Sequence, residues 1–443
     1  MRLTRLTRSL VTLLLVAAAG LAQGADLLQI YRDALVQDSA YAAARASWQA
    51  GQETVVQGRA LLLPNVNVSG NYQFNNRDFR NTPNQQFDSL FLGVSLTQPL
   101  FRMQNLVQYQ QSRTQITQSE AQFALAGQDL ILRVAQAYFE VLLAEVNLEV
   151  NEAQKRAIAQ QLEQAKRNFE VGTATIVDTY EAQARYDLVV SQEIVLQNDL
   201  AVKRDALERI INKPAPSLVQ PPRGIELKPP QPNKIDAWVE EAYATSLDVR
   251  QATAALTLAQ QQVELQRAGH YPTLDAVASY GRSENSLGSA FATQGFNGDI
   301  ASVGVQLAIP IYQGGAVESR VRQAISNQEK AKQDLETARR IVAQSTRQAF
   351  LGLNSGIAQT QALRTAVVST QSQVDSTKLG QEVGVRTEVD VLNAQQLLFS
   401  AQRDLAQALF NTVLNLFRLK AAVGQLTEND VVAVNEWING RIR

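Results

Sequence analysis

The sequence predicts an α+β membrane protein in which membrane-length β-hairpins alternate with very long helices. Three observations carry that prediction. Four stretches of about ten residues alternate in polarity, two proline-free stretches of more than a hundred residues are rich in helix formers, and the whole arrangement is written twice in 443 residues.

The chain opens with Arg2, Arg5 and Arg8, an apolar run from Leu10 to Ala19, and small residues up to Ala22 and Gly24. This is the pattern of a secretory signal peptide over 1–24, because the apolar run is too short to cross a bilayer as a helix and a small-residue cleavage site follows it. Without its three arginines the formal charge moves from -1 to -4, so nucleic acid is not an expected partner. The absence of cysteine excludes disulfides, thiolate metal sites and a lipid-bearing cysteine. No later segment supplies eighteen uninterrupted apolar residues, so an exported chain that enters a membrane must do so as a barrel.

Self-similarity sets the domain organisation. Leu63-Pro64 and Tyr271-Pro272 precede alternating stretches and lie 208 residues apart; Pro99-Leu100-Phe101 and Pro310-Ile311-Tyr312 lie 211 apart; Val171-Gly172 to Asp178 and Val383-Gly384 to Asp390 lie 212 apart. Two copies in one order imply a duplicated unit, with a first repeat over 25–212 and a second over 235–443. The joint, 213–234, holds Pro214, Pro216, Pro221, Pro222, Pro229, Pro230 and Pro232, which is seven of the chain's 12 prolines. Such a segment is extended, because proline removes the amide donors a helix needs.

Residues 100–213 contain no proline and only Gly127 and Gly172, and residues 311–443 are also free of proline. A helix from about Met103 to Phe169 would be roughly 100 Å long at the standard rise. Gln104, Gln108, Gln111, Gln115, Gln118 and Gln122 recur at steps of four and three, giving one uncharged polar face. Two arrangements fit: the solvated face of a coiled coil, or helices that pack sideways and meet water both outside and inside a tube.

The first strand, from Asn65 to Asn75, puts Val66, Val68, Gly70, Tyr72 and Phe74 on one face and Asn65, Asn67, Ser69, Asn71 and Gln73 on the other. The second is expected over Ser89–Gln98, the third over Thr273–Gly281 and the fourth from Ala301 to Ile309, giving hairpins 65–98 and 273–309 with polar loops around 76–88 and 282–299. Each strand has the length a tilted membrane strand needs, although a soluble sheet with one wet face alternates in the same way. Topology narrows the choice. Four strands leave two open edges, which hydrocarbon does not tolerate, so several chains must close one barrel. Two chains supply 8 strands and three supply 12, and the larger number leaves the wider lumen.

Signal peptide, duplicated hairpin-and-helix unit, proline-rich joint and the paired phrases resemble the TolC family of outer-membrane channels over nearly the whole mature chain. The specific phrases are Leu63-Pro64, Gln98-Pro99-Leu100-Phe101, the run from Phe169 to Asp187, His270 to Leu274, Pro310 to Gly315, and Val383 to Ala394. The resemblance implies a homotrimer whose shared 12-stranded barrel crosses the outer membrane and continues as a helical barrel into the periplasm. It implies no catalysis and no cofactor. It also implies a periplasmic adaptor (membrane fusion) protein and an inner-membrane ABC or RND transporter as partners, with drugs, small molecules or secreted proteins as cargo.

Both repeats place a Gly three residues before a Thr and an acid three residues further on: Gly172, Thr175, Asp178 and Gly384, Thr387, Asp390. Gly ends one helix with a positive φ, and Thr-x-x-Asp is a capping box that starts the next. Capping alone is one account of both aspartates. The other adds that Asp390 and Asn393 share a helix face, so that a trimer presents a polar ring; carboxylates about 6 Å apart repel by only about 0.7 kcal/mol in water, so closure would need bonds elsewhere. By resemblance, Arg386, Gln381, Asp178 and Gln161 stand where the family holds its entrance closed. Asn393, Gln381 and Lys378 depart from the best-known pattern. The turns Val171-Gly172-Thr173 and Val383-Gly384-Val385 are the expected adaptor-docking tips, or serve only their own turns.

An enzyme finds little support: His270 is the single histidine, and there is no metal-binding His pair, nucleophile elbow or phosphate-binding loop. The competing reading is a periplasmic coiled-coil adaptor or structural protein, which should lack membrane-length strands.

Overall fold

The computed structural model describes residues 24–78, 85–222, 228–286 and 296–440. The expected signal peptide up to residue 23, the tips of both hairpin loops and the middle of the proline-rich joint lie outside the described residues.

In chain order the elements are α1 (Leu27–Gln37), α2 (Ser39–Ala60), β1 (Asn65–Arg77), β2 (Gln85–Phe101), α3 (Met103–Glu170), α4 (Ile176–Ile211), α5 (Ile235–Thr245), α6 (Leu247–Arg267), β3 (Thr273–Asn285), β4 (Phe296–Ala308), α7 (Ala316–Glu382), α8 (Glu388–Ala422) and α9 (Glu428–Ile438). Among the described residues no helix is long and apolar enough to cross a membrane. The chain forms two compact units, and each draws on both sequence repeats.

One unit comprises Ala44–Ala124 and Leu247–Ile341 and holds a four-stranded antiparallel sheet in the order β1-β2-β3-β4. The register carries the alternation of single strands across the whole sheet. Val68, Val94, Tyr280 and Ala301 stand in one row, and Val66, Leu96, Ala278 and Val303 in the next; the opposite face carries the row Asn67, Ser95, Ser279 and Ser302. The Ser279 and Ser302 hydroxyls lie 2.7 Å apart. In these two rows one face is therefore apolar through four strands, and Val303 on it is 89% exposed.

The strands run further than the alternation alone marks, 13 residues in β1, β3 and β4 and 17 in β2. Strand β2 continues through Pro99 because the ladder shifts register between Pro99 and Phe101; an irregularity is where a residue without an amide donor can sit in a sheet. Strand β4 stops at Ala308, one residue short of the expected Ile309.

Three side chains tie the chain where the helices meet β1, β2 and β3. Arg102 grips the buried Asp275 carboxylate through two bonds, Nε to Oδ1 at 2.8 Å and Nη2 to Oδ2 at 2.6 Å. Gln98 donates to the Leu62 carbonyl at 3.0 Å, and Gln104 to that of Ala268 at 2.8 Å. Gln111, from the same glutamine stripe, donates to Gln262 of α6 at 3.0 Å, so part of that stripe joins helices instead of facing water. Helices α2 and α3 approach closely where Gly58 meets Ser112 and Gly51 meets Ser119.

The other unit comprises the chain up to Ala43, Leu125–Ser246 and Val342–Arg443. Its core gathers Leu27, Ile30 and Ala34 of α1, Leu130 to Leu142 of α3, Leu207 and Ile211 of α4, Phe410 to Phe417 of α8, and Val431 and Ile438 of α9. Tyr138, Phe139 and Phe417 are fully buried, each worth about 1.5–3 kcal/mol of hydrophobic stabilisation. The Tyr138 hydroxyl donates to the Val219 carbonyl at 2.9 Å, which satisfies the polar end of a buried ring.

Candidate functional site

Within this second unit, α3 with α4 and α7 with α8 form two helical hairpins whose turns are built identically. In the first, Thr173 N–H donates to the Asn168 carbonyl at 2.8 Å and Gly172 N–H to that of Phe169 at 3.0 Å; in the second, Val385 N–H donates to Gly380 at 2.9 Å and Gly384 N–H to Gln381 at 3.0 Å. These are the paired bonds of a Schellman stop. They require a left-handed residue, and Gly172 and Gly384 supply it at φ 78° and 79°.

The next helix begins four residues after each glycine, at Ile176 and Glu388, with the cap one residue before it. Thr175 accepts from Asp178 N–H, and the Asp178 carboxylate accepts from Thr175 N–H at 2.8 Å; Thr387 and Asp390 repeat the arrangement at 2.9 Å. Both aspartates thus spend one oxygen on their own helix start. The Thr175 hydroxyl and amide hold the Asp178 carboxyl below the usual carboxylate range, and the Thr387 amide and hydroxyl do the same for Asp390.

The hairpins are held together by small apolar clusters, with Leu162, Ala165 and Ala182 in the first and Val374, Ala394 and Leu398 in the second. Ile158, Val189 and Leu392 join one hairpin to the other. Beside them Arg185 of α4 donates to Asn393 of α8 at 3.1 Å and to Glu181 at 3.0 Å.

The structure distributes the expected site residues unevenly. Asp178 comes close enough to Glu388 to act on its charge, and Asn393 is engaged by Arg185. Arg386 lies over Gly380, where a Cβ would stand 2.8 Å from the arginine Cγ, and is itself exposed. Gln161 is buried, while Gln381 is half-buried and Lys378 exposed. Val171, Gly172, Thr173, Val383, Gly384 and Val385 are all exposed.

Two participants escaped the sequence reading. Arg185 follows Asp178 by seven residues, two turns on the same face, which was the available signal. Glu388 sits inside the capping box and looked like an ordinary first-turn acid. Burial, and then the Asp178 charge, push its carboxyl above the usual range.

The chain is similar to known proteins over most of its length. The family of outer membrane efflux proteins matches residues 30–213 and again 238–425. The outer membrane protein TolC of Vibrio cholerae is 33% identical over 432 residues, which is 97% of this chain and 98% of that protein. The alkaline protease secretion protein AprF of Pseudomonas aeruginosa is 32% identical over 92% of this chain and 86% of its own length. The crystal structure of the outer membrane protein VceC from Vibrio cholerae superposes with a TM-score of 0.77 at 18% identity, covering 90% of this chain and 96% of that one. Both the fold and the relatives are those of an outer-membrane channel, not of a periplasmic adaptor. The chain belongs to the outer membrane efflux protein family, the TolC-type channels of the outer membrane.

Proposed function

We propose that three copies of this chain close one barrel in the outer membrane and line a gated periplasmic tunnel, which receives cargo from an inner-membrane transporter through a periplasmic adaptor. The observation that carries this reading is the sheet. It has one apolar and one polar face, and its outer strands β1 and β4 each leave an edge unpaired within the chain. In hydrocarbon those edges must find partners, and only further copies of the same sheet offer matching faces. Three copies give twelve strands, with the row of Asn67, Ser95, Ser279 and Ser302 turned toward the lumen.

The hairpin tips are the proposed entrance and docking points. Tight glycine turns at Val171-Gly172-Thr173 and Val383-Gly384-Val385 expose small, shallow surfaces that another helical tip can approach. Arg386, Gln381, Gln161, Asp178, Asp390 and Asn393 are the proposed gate. The cargo is a small toxic molecule or a secreted protein.

Purification in detergent and reconstitution in planar bilayers test the proposal together. The expected result is a particle of three chains with a small conductance, and a several-fold larger conductance for Arg386→Ser. A monomer soluble without detergent would overturn the barrel. A trimer whose conductance is unaffected by Arg386→Ser would remove Arg386 from the gate.

A further inference from the structure

The helices of the two hairpins carry buried side-chain oxygen atoms to which nothing donates. Gln161 of α3 is 8% exposed and its Oε1 has no hydrogen-bond partner; Oε1 of Glu388 on α8 and Oγ1 of Thr179 on α4 are in the same condition. Their levels agree. Ile158 and Leu392 pack in one cluster, and Gln161 and Glu388 each lie about one turn closer to the tips on the same two helices. Asp178, beside Thr179, acts on Glu388 directly. The Gln161 and Glu388 oxygens are therefore acceptors in need of a donor, while the Thr179 hydroxyl can donate as well as accept.

A bound metal is a poor candidate, since among the described residues no three His, Cys, Asp or Glu side chains gather. A proton suffices. Carried by Glu388, it turns one acceptor into a donor and removes the repulsion from Asp178 in one step.

We propose that Glu388 is a proton-operated latch between the hairpins of the two repeats, closing the entrance when protonated and releasing it when charged. The idea rests on the gate reading above. The surrounding groups leave the choice to Glu388. From α4 the charge that acts on it is Asp178, whose own proton is lost early because Thr175 holds the carboxylate; α3 contributes the uncharged Gln161; on α8 Asp390 is tied to Thr387, and the preceding Arg386 lies over Gly380 of α7. Burial and Asp178 raise the Glu388 carboxyl in the packed arrangement. An acid raised in one state favours that state at low pH, so packing is supported below the solvated value near 4.3 and the support is lost as pH climbs through the raised value. The closed-to-open ratio changes by about tenfold for each unit by which the two values differ.

The trimer in planar bilayers, recorded from pH 4.5 to 8, provides the test. Wild type should conduct less at the acidic end, Glu388→Gln should stay at the low level throughout because its amide donates without titrating, and Glu388→Ala should be high and flat. Spin labels on cysteines introduced at Thr173 and Val385, in a chain with no cysteine of its own, should move apart between pH 5 and 8 in the wild-type background and not in Glu388→Gln. A wild-type pH profile retained by Glu388→Gln overturns the latch. So does a pH-flat wild type in preparations where Arg386→Ser still opens the channel, an outcome that leaves the gate reading standing.

Discussion

Asp38 is the buried carboxylate in the core-bearing unit on which most depends. It accepts from the Tyr41 amide at 2.7 Å and so starts α2, and Arg133 of α3 donates to it from two nitrogens, at 2.8 Å and 3.1 Å. Losing a cap costs about 1 kcal/mol, and stranding one partner of a buried pair costs 3–5 kcal/mol. Arg133 is one-third exposed and keeps Asp129, so we expect Asp38→Ala to lower stability by about 2 kcal/mol, measured by denaturant melts in detergent. Arg133, first, and then the Tyr41 amide hold the Asp38 carboxyl below its ordinary value. Its stabilisation is thus complete above the unfolded value near 3.9 and fades as pH falls through the lower native one. Acid should destabilise the wild type more than Asp38→Ala, and parallel acid limbs for the two proteins would contradict this assignment.

Among the elements, the hairpin turns separate conformation from contact most cleanly. A Cβ at Gly172 or Gly384 would meet nothing within 4 Å, yet both residues lie at φ near +78°. Gly384→Ala should therefore cost about 1 kcal/mol through backbone strain alone. The expected sign is faster amide hydrogen exchange at Val385 and Arg386, whose N–H groups bond the Gly380 carbonyl, with α8 beyond its first turn unchanged. Unaltered exchange at those two amides would show that the turn tolerates an L-residue.

At the scale of the whole molecule, the two faces of the sheet make opposite demands. Val303 and Ser302 are neighbours on β4 and point to opposite sides. An arginine at a lipid-facing position near the bilayer midplane costs about 2–4 kcal/mol, while one facing the lumen mainly alters selectivity. Val303→Arg is expected to reduce the folded trimer recovered from outer membranes, whereas Ser302→Arg should assemble normally and shift ion selectivity toward anions. Equal assembly of both variants would mean that the faces have been assigned the wrong way round.

The duplication was legible because prolines, glycines and capping boxes mark element ends, and these recur at offsets of 208 to 212 residues. The strands were legible for a similar reason: alternation is a property of neighbouring residues. The bonds at the tips were not. Arg185 meets Asn393 across 208 residues, and Asp178 acts on Glu388 across 210, distances at which no local periodicity speaks. The same holds for Arg102 and Asp275, one from each repeat and 173 residues apart. Sequence alone determined the fold class, the two-fold repeat and the family phrases, since these follow from local backbone preference and polarity. Only the tertiary structure decided the compact units, which cut across the repeats, and the burial that singles out Glu388. Burial and charge coupling belong to whichever helices happen to pack together, and that packing brings together segments far apart in the chain.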